Sequence, residues 1–170
     1  MAEKWIDIKG PILANTVYSD GKLVAKDVAI TLPSVTHVTA DFRAMGTMTM
    51  PMAGQIEAME AAITKVGIDL GLRNLVKLET KTLEFRWVQD VKKSDGSTVT
   101  EGCKAFLRAT PKAIPGLSVD PGSASENEIT FAVSRYQLFV GGEEFCLIDQ
   151  LNQILRIGGT DYCKDIRSLL

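Results

Sequence analysis

One histidine, three cysteines and a few acidic pairs are the residues of this 170-residue chain whose types could carry chemistry. With His37 the sole histidine, any Ser–His–Asp or Cys–His arrangement depends on one base. That histidine stands in Val35-Thr36-His37-Val38-Thr39, a strand-like run in which the imidazole reads as a surface or half-buried structural group. A multi-histidine metal site is impossible, and no His-x-x-Glu or Glu-x-x-His pair occurs. Cys103, Cys146 and Cys163 are widely spaced and form no C-x-x-C, which excludes a zinc ribbon or a thioredoxin motif; they read as reduced thiols packed as small apolar side chains. Glu143-Glu144, the Glu126/Glu128 pair, and Asp161 with Asp165 offer carboxylates without an acid–base partner and read as solvated surface. There is no G-x-x-x-x-G-K-[ST] phosphate loop and no G-x-G-x-x-G, and Gly141-Gly142 and Gly158-Gly159 read as turns. No catalytic, metal-ligating or cofactor-binding residue is expected, and an enzyme is not.

Charge narrows the partners further. Nineteen basic residues against twenty-one acidic ones give a formal charge of −2, a poor basis for gripping phosphates. The one basic pair, Lys92-Lys93, reads as a solvated hairpin tip. Residues Met1 to Lys9 mix charges with Trp5, Ile6 and Ile8 and show no apolar signal core; no run approaches the ~20 apolar residues of a membrane helix. A chain that folds in a cytoplasm, without stable membrane association, is the expectation.

The elements that would position these residues are mostly strands. Leu83, Phe85 and Trp87 alternate with Thr82, Glu84 and Arg86, so one face is apolar. Ser94-Asp95-Gly96-Ser97 supplies a turn, and the chain returns through Val99, Glu101, Cys103, Ala105 and Leu107 as a long hairpin. Further strands are expected over Asn15–Tyr18, Val28–Leu32, Val35–Phe42, Glu128–Val140, Glu144–Asp149 and Gln153–Ile157. The spacing of Ile68, Leu72, Leu75 and Val76 suits a helix of about three turns between Gly67 and Leu78. A closing helix shows Tyr162, Ile166 and Leu169 on one face, with Thr160 or Asp161 placed to cap it. No linker divides the chain, so residues 1–170 read as one mainly β domain, a sandwich or barrel-like core with helices outside it.

One stretch does not look like part of a self-contained core. Five of the six methionines lie between Met45 and Met59, and Ala44–Ile56 carries no charge. In an extended chain Met48, Met50 and Met52 share one face and Thr47 and Thr49 take the other. Gly46, Pro51 and Gly54 oppose helix. Either this is a Met-rich core hairpin, or it is an arm around residues 41–56 whose thioethers adapt to a neighbouring subunit. An uncharged apolar strand left in water aggregates unless a partner covers it. The candidate interface residues are therefore Met45, Met48, Met50, Pro51, Met52 and Gly54.

The closing segment Leu138–Leu170 resembles the C-terminal signature of major tail tube proteins of contractile-tailed phages and phage-tail-like bacteriocins. The matching pieces are Ile148-Asp149-Gln150-Leu151-Asn152 and Gly159-Thr160-Asp161-Tyr162. Asn15 through Gly21 with Val28–Pro33, Ile56–Ala61 as a central strand, and Thr110-Pro111-Lys112 after the long hairpin are similar to the family in the same order.

That resemblance implies a β-sandwich or barrel-like protomer, six of which close into a ring. Rings would stack into a hollow tube for DNA ejection or membrane puncture. It implies as partners the chain itself, a tail sheath, a tape-measure protein, and baseplate and tail-terminator proteins. Genomic DNA would pass through the lumen without sequence-specific binding. The location implied is a virion tail or a bacteriocin particle, assembled in the bacterial cytoplasm. Two alternatives stay open: the tube of a type VI-like secretion machine, and a monomeric β-sandwich binding module with the Met strand internal.

Overall fold

A computed structural model describes residues 7–170; Trp5 and Ile6 lie outside the described residues. Its centre is the long hairpin, β7 (Lys81–Lys92) and β8 (Thr98–Pro111), in continuous register from Lys81 opposite Ala109 to Lys92 opposite Thr98. Alternation fixes its faces: Leu83, Phe85, Cys103, Ala105 and Leu107 are buried, while Thr82, Arg86, Lys104 and Arg108 point the other way into solvent. The Asp95 carboxylate closes the turn, accepting from the Ser97 amide at 2.8 Å and the Ser97 hydroxyl at 2.6 Å. Lys92 and Lys93 are exposed beside it.

β1 (Ile8–Ser19) pairs along the outer edge of β7, and β2 (Lys22–Lys26), a short strand with no sequence-based expectation, returns along β1. On the other side, β9 (Glu126–Val140) pairs with β8 and then branches. Its first half pairs with β6 (Met59–Val66), which carries β3 (Ala29–Thr31). Its second half pairs with β10 (Glu143–Asp149), followed by β11 (Ile154–Ile157) and β12 (Thr160–Asp161). All these pairings are antiparallel, and the ten strands make one sheet. Both branches share one core: Ile63 and Phe131 from one, Ile148 and Leu155 from the other, against Val17, Phe85 and Leu107. The mainly β fold expected from the alternation is therefore present, with strand ends moved. The strand expected over Val28–Leu32 shortens to Ala29–Thr31, because Asp27 takes a left-handed turn and Pro33 ends it.

The open side between β2 and β6 is bridged by polar groups and a helix. The Asn15 side chain pairs with the Val28 backbone, donating to its carbonyl at 2.6 Å and accepting from its amide at 2.9 Å. Buried Lys65 donates to the Val24 carbonyl of β2 at 2.7 Å and to the Asp69 carboxylate at 2.8 Å. Asp69 in turn caps α1 (Leu70–Val76), accepting from the Leu72 amide at 2.9 Å. These contacts hold the Asp69 carboxyl below its ordinary range, the Lys65 ammonium being the main cause. The helix is shorter than the three turns expected. Gly67, at φ +83°, sits in a turn bonded to Ser125, and the chain leaves helical angles at Lys77. Leu72 and Leu75 enter the core, whereas Ile68 and Leu78 are exposed. Lys81 finishes this corner, its ammonium donating to the Lys77 and Glu79 carbonyls; burial pushes its pKa down.

Two aspartates build the chain's closing turns. Asp149, 5% exposed, accepts from the amides of Leu151 and Asn152 at 3.1 and 3.2 Å and from the Asn152 side chain at 2.8 Å. Ile148-Asp149-Gln150-Leu151-Asn152 is thus a side-chain-held turn between β10 and β11. Asp161 lies in β12 and does not serve as the N-cap of α2 (Lys164–Leu169), a position held by Cys163 without a side-chain cap bond. Its carboxylate accepts from the Cys163 amide at 3.0 Å and from Arg167 at 2.5 Å, which keeps it ionised to lower pH, Arg167 being the leading cause. The apolar face expected on this helix is only partly packed: no residue of α2 is buried and Tyr162 and Leu169 are exposed, while the Ile166 side chain lies against Gly54.

Candidate functional site: an uncovered apolar arm and free strand edges

β4 (His37–Arg43) and β5 (Thr47–Ile56) form a separate two-stranded sheet and, among the described residues, pair only with each other. Every residue from Asp41 to Pro51 is exposed. The register puts Ala40 opposite Met50 and Phe42 opposite Met48, so these four side chains share one face. The other face carries Thr39, Asp41, Arg43, Thr47, Thr49 and Pro51, and Thr49 donates to the Asp41 carboxylate at 2.7 Å. Phe42 is 50% exposed and Met48 and Met50 are 44% each, an uncovered apolar stripe on a ribbon that cannot hold itself together by burial.

The six candidate residues divide. Met45 sits at the tip, fully exposed and at φ +49°, beside Gly46 at +117°. Met48 and Met50 form the stripe and Pro51 lies opposite Thr39 on the polar face. Met52 does not continue the stripe: the register jumps from Thr39 opposite Pro51 to His37 opposite Ile56, which leaves Met52 half-buried in a bulge. Gly54, in the same bulge, faces its own chain, where a Cβ would stand 3.2 Å from Ile166 Cδ1 and 3.3 Å from Cys163 Sγ. Sequence reasoning missed Phe42 and Ala40, which join the stripe only through the cross-strand register.

A second uncovered surface lies at the far end of the main sheet. β2 accompanies β1 only over Thr16–Ser19, and β9 accompanies β8 only from Cys103 onward. Among the described residues, Ile8–Ala14 and Thr98–Glu101 therefore have one edge with no strand alongside. Ile8, Ile12 and Leu13 on the first and Val99 on the second are exposed. Natural edges of this length are protected or paired. Next to them, a groove of about 560 Å³ crosses the solvent face of the sheet, floored by Ala14, Val88 and Gly102 and walled by Phe106 and Phe139. Those two rings meet edge to face at 5.9 Å.

The residues with chemical potential are dispersed. His37 is half-buried at the arm's base, opposite Ile56. The three cysteines are buried on β8, β10 and just before α2, and burial raises each thiol's pKa. Glu126, Glu128 and Glu143 are exposed, whereas Glu144 is clamped by Arg156 at 2.6 and 3.0 Å and accepts from Gln137 at 2.8 Å. Among the described residues, no group of three or more His, Cys, Asp or Glu side chains is arranged to hold a metal ion.

Two solved structures with this fold come from an extracellular contractile injection system. A chain of the sheath-tube complex of the extracellular contractile injection system PVC, in its extended state, superposes with a TM-score of 0.53 at 17% identity, over 76% of this chain and 90% of that one. A chain of the PVC sheath/tube terminator superposes with a TM-score of 0.55 at 16% identity, over 82% and 99%. Among curated proteins, none matches the sequence. The sequence itself matches the family model of phage tail tube protein FII across residues 11–170, from within β1 to Leu170 just past α2. The fold agrees with those structures, and the sequence match makes the assignment: this chain belongs to the phage tail tube protein FII family, a structural component of the tail tube.

Proposed function

We propose that this protein works by self-association alone, as the repeating subunit of the inner tube of a contractile phage or phage-like tail. Six protomers close into a ring and rings stack into a hollow conduit for DNA ejection or membrane puncture. The observation that carries this reading is the arm. Its stripe of Phe42, Met48 and Met50 is uncovered in the single chain, and among the described residues the main sheet has edges with no strand alongside. Complementary but different patches on one protomer give heterologous contacts, which close into rings or run on as filaments. The exposed fractions of the three side chains amount to roughly 250–300 Å², or about 7 kcal/mol gross per arm at ~25 cal/mol per Å², before association costs.

No catalytic step is involved, and the reading needs no cofactor. The sheath surrounds the tube, a tape-measure protein occupies it during assembly, and baseplate and terminator proteins close its ends. The formal charge of −2 supports a lumen through which DNA passes without sequence-specific binding. The protein is made in the host bacterial cytoplasm and ends in the tail of the particle. Residues 41–56 are the inter-subunit arm of a single domain spanning residues 1–170.

The test is the triple variant Phe42→Ser, Met48→Ser, Met50→Ser. These side chains leave the core untouched, so the dilute monomer keeps its thermal midpoint to within about 2 °C. Tube formation, followed by sedimentation and negative-stain microscopy, is lost at concentrations where the parent assembles. A variant that unfolds as a monomer places the stripe in the core and favours the binding-module alternative. One that assembles normally removes the arm from the interface.

A further inference from the structure

The arm does not leave the body as a simple continuation of its strands. At its base, Glu57 N–H donates to the Thr36 carbonyl at 2.8 Å and His37 pairs with Ile56, while Val35 and Ile56 pack on the core. Beyond this anchored pair the two strands advance unequally. Two steps on β4, from His37 to Thr39, face five on β5, from Ile56 back to Pro51. Met52–Gln55 are therefore an unpaired bulge between a fixed base and an exposed ribbon, the geometry of a pivot. Beneath the bulge lies a cleft of about 240 Å³, with Gly54, Gln55 and Ile56 on one wall and Ile148, Leu155 and Cys163 on the other.

Across that cleft Gly54 of the bulge meets the C-terminal segment. Gly54 takes φ +80° and lies so close to Cys163 and Ile166 that a Cβ would press on both. Glycine meets the angle and the approach together without strain, and any other side chain here needs Ile166 or Cys163 to give way. The segment it meets is fixed in turn: Arg167 holds Asp161 at 2.5 Å and donates to the Gln153 carbonyl at 2.7 Å, and Cys163 is buried. This gives the otherwise uncapped, unburied helix α2 a task that its own packing does not explain.

We propose that α2 is a latch that sets the angle of the arm: Cys163 and Ile166 seat Gly54, and this seat holds the ribbon pre-organised for docking. An arm without the seat swings on the Met52–Gln55 bulge and loses ordering entropy at each contact it makes. The assembly consequence rests on the arm being the interface element; the exchange behaviour of the dilute single chain does not.

The test is hydrogen–deuterium exchange of dilute, unassembled protein, resolved by peptide. Ile166→Ala is expected to speed exchange over Thr39–Pro51 roughly tenfold, the effect of losing a small apolar contact, with the β7 and β9 core amides unchanged. A second variant, Gly54→Cys, puts a thiol beside Cys163. Oxidation by glutathione disulfide, which takes up the two electrons of the new bond, should pin the arm and restore protection in the Ile166→Ala background. Reduction should release it. Arm exchange indifferent to Ile166→Ala, or a formed disulfide that leaves the arm as mobile as the reduced form, overturns the latch. Faster arm exchange with unchanged tube formation supports the latch and instead removes the arm from the interface.

Discussion

Gly71→Ala separates local helix preference from the close packing that seats α1. On propensity alone, alanine for glycine inside a helix stabilises by about 1 kcal/mol. The structure reverses the sign. A Cβ at Gly71 would stand 2.4 Å from the Val24 carbonyl oxygen and 2.9 Å from the Lys65 ammonium, the first of these about 1 Å inside ordinary van der Waals contact. Relief requires α1 to lift or β2 to shift, and either pulls on the Lys65 bridge to Val24 and Asp69 at 2.7 and 2.8 Å. Overpacking costs about 1–3 kcal/mol and loosening a buried charged donor about 1–3 more. After the propensity gain, a net loss of about 3 kcal/mol remains, or about 6–12 °C in the thermal midpoint of a chain this size. The assay is calorimetry and urea unfolding of dilute protein below the assembly concentration. A variant as stable as the parent, or more so, would refute the reasoning and place propensity above packing at this corner.

Two further effects concern the closing segment. Asp149→Ala removes the acceptor of three hydrogen bonds in the β10–β11 turn and should cost about 2 kcal/mol in urea unfolding; no change would mean the turn holds by packing alone. The Glu144 carboxyl is held below its ordinary value chiefly by the Arg156 guanidinium, as Asp161 is by Arg167. Folded pKa values below the unfolded ones mean the unfolded chain takes up protons first as pH falls. This contribution to stability is full above about pH 4.5 and is lost as pH drops through the depressed folded values. Glu144→Gln should flatten that acid limb of urea midpoint against pH, and an unaltered slope would count against the clamp.

How much of this was legible beforehand depends on whether the signal was local. The alternation of Leu83, Phe85 and Trp87 with charged neighbours declared a strand with two faces, and the Ser94–Ser97 turn fixed its partner. The uncharged run Ala44–Ile56 marked the arm segment because four methionines at short spacing stand in it with no charge between them. Phe42 was not visible, since its membership of the stripe depends on pairing with Met48 across the hairpin. Gly54 drew attention for opposing helix, but its seat against α2 is a tertiary contact more than a hundred residues along the chain. The branching of β9 was equally hidden: its buried positions slip phase between Val133 and Tyr136, where the pairing with β8 shifts register, but that slip does not name β6 or β10 as the partner of either half. α1 came out short because apolar spacing overran the Asp69 cap and the exit at Lys77. The aspartates of the closing segment carried the resemblance to the family, and the structure gives them a physical role as turn-holding acceptors.

The most direct test of the central claim is a cryo-EM reconstruction of tubes assembled from this protein, with baseplate proteins added as a template if required. The account predicts hollow tubes of six-fold rings in which residues 37–56 lie against a neighbouring protomer, with Phe42, Met48 and Met50 turned into that contact. Tubes in which the stripe faces solvent or folds onto its own body would contradict it. So would a protein that stays monomeric even on the template.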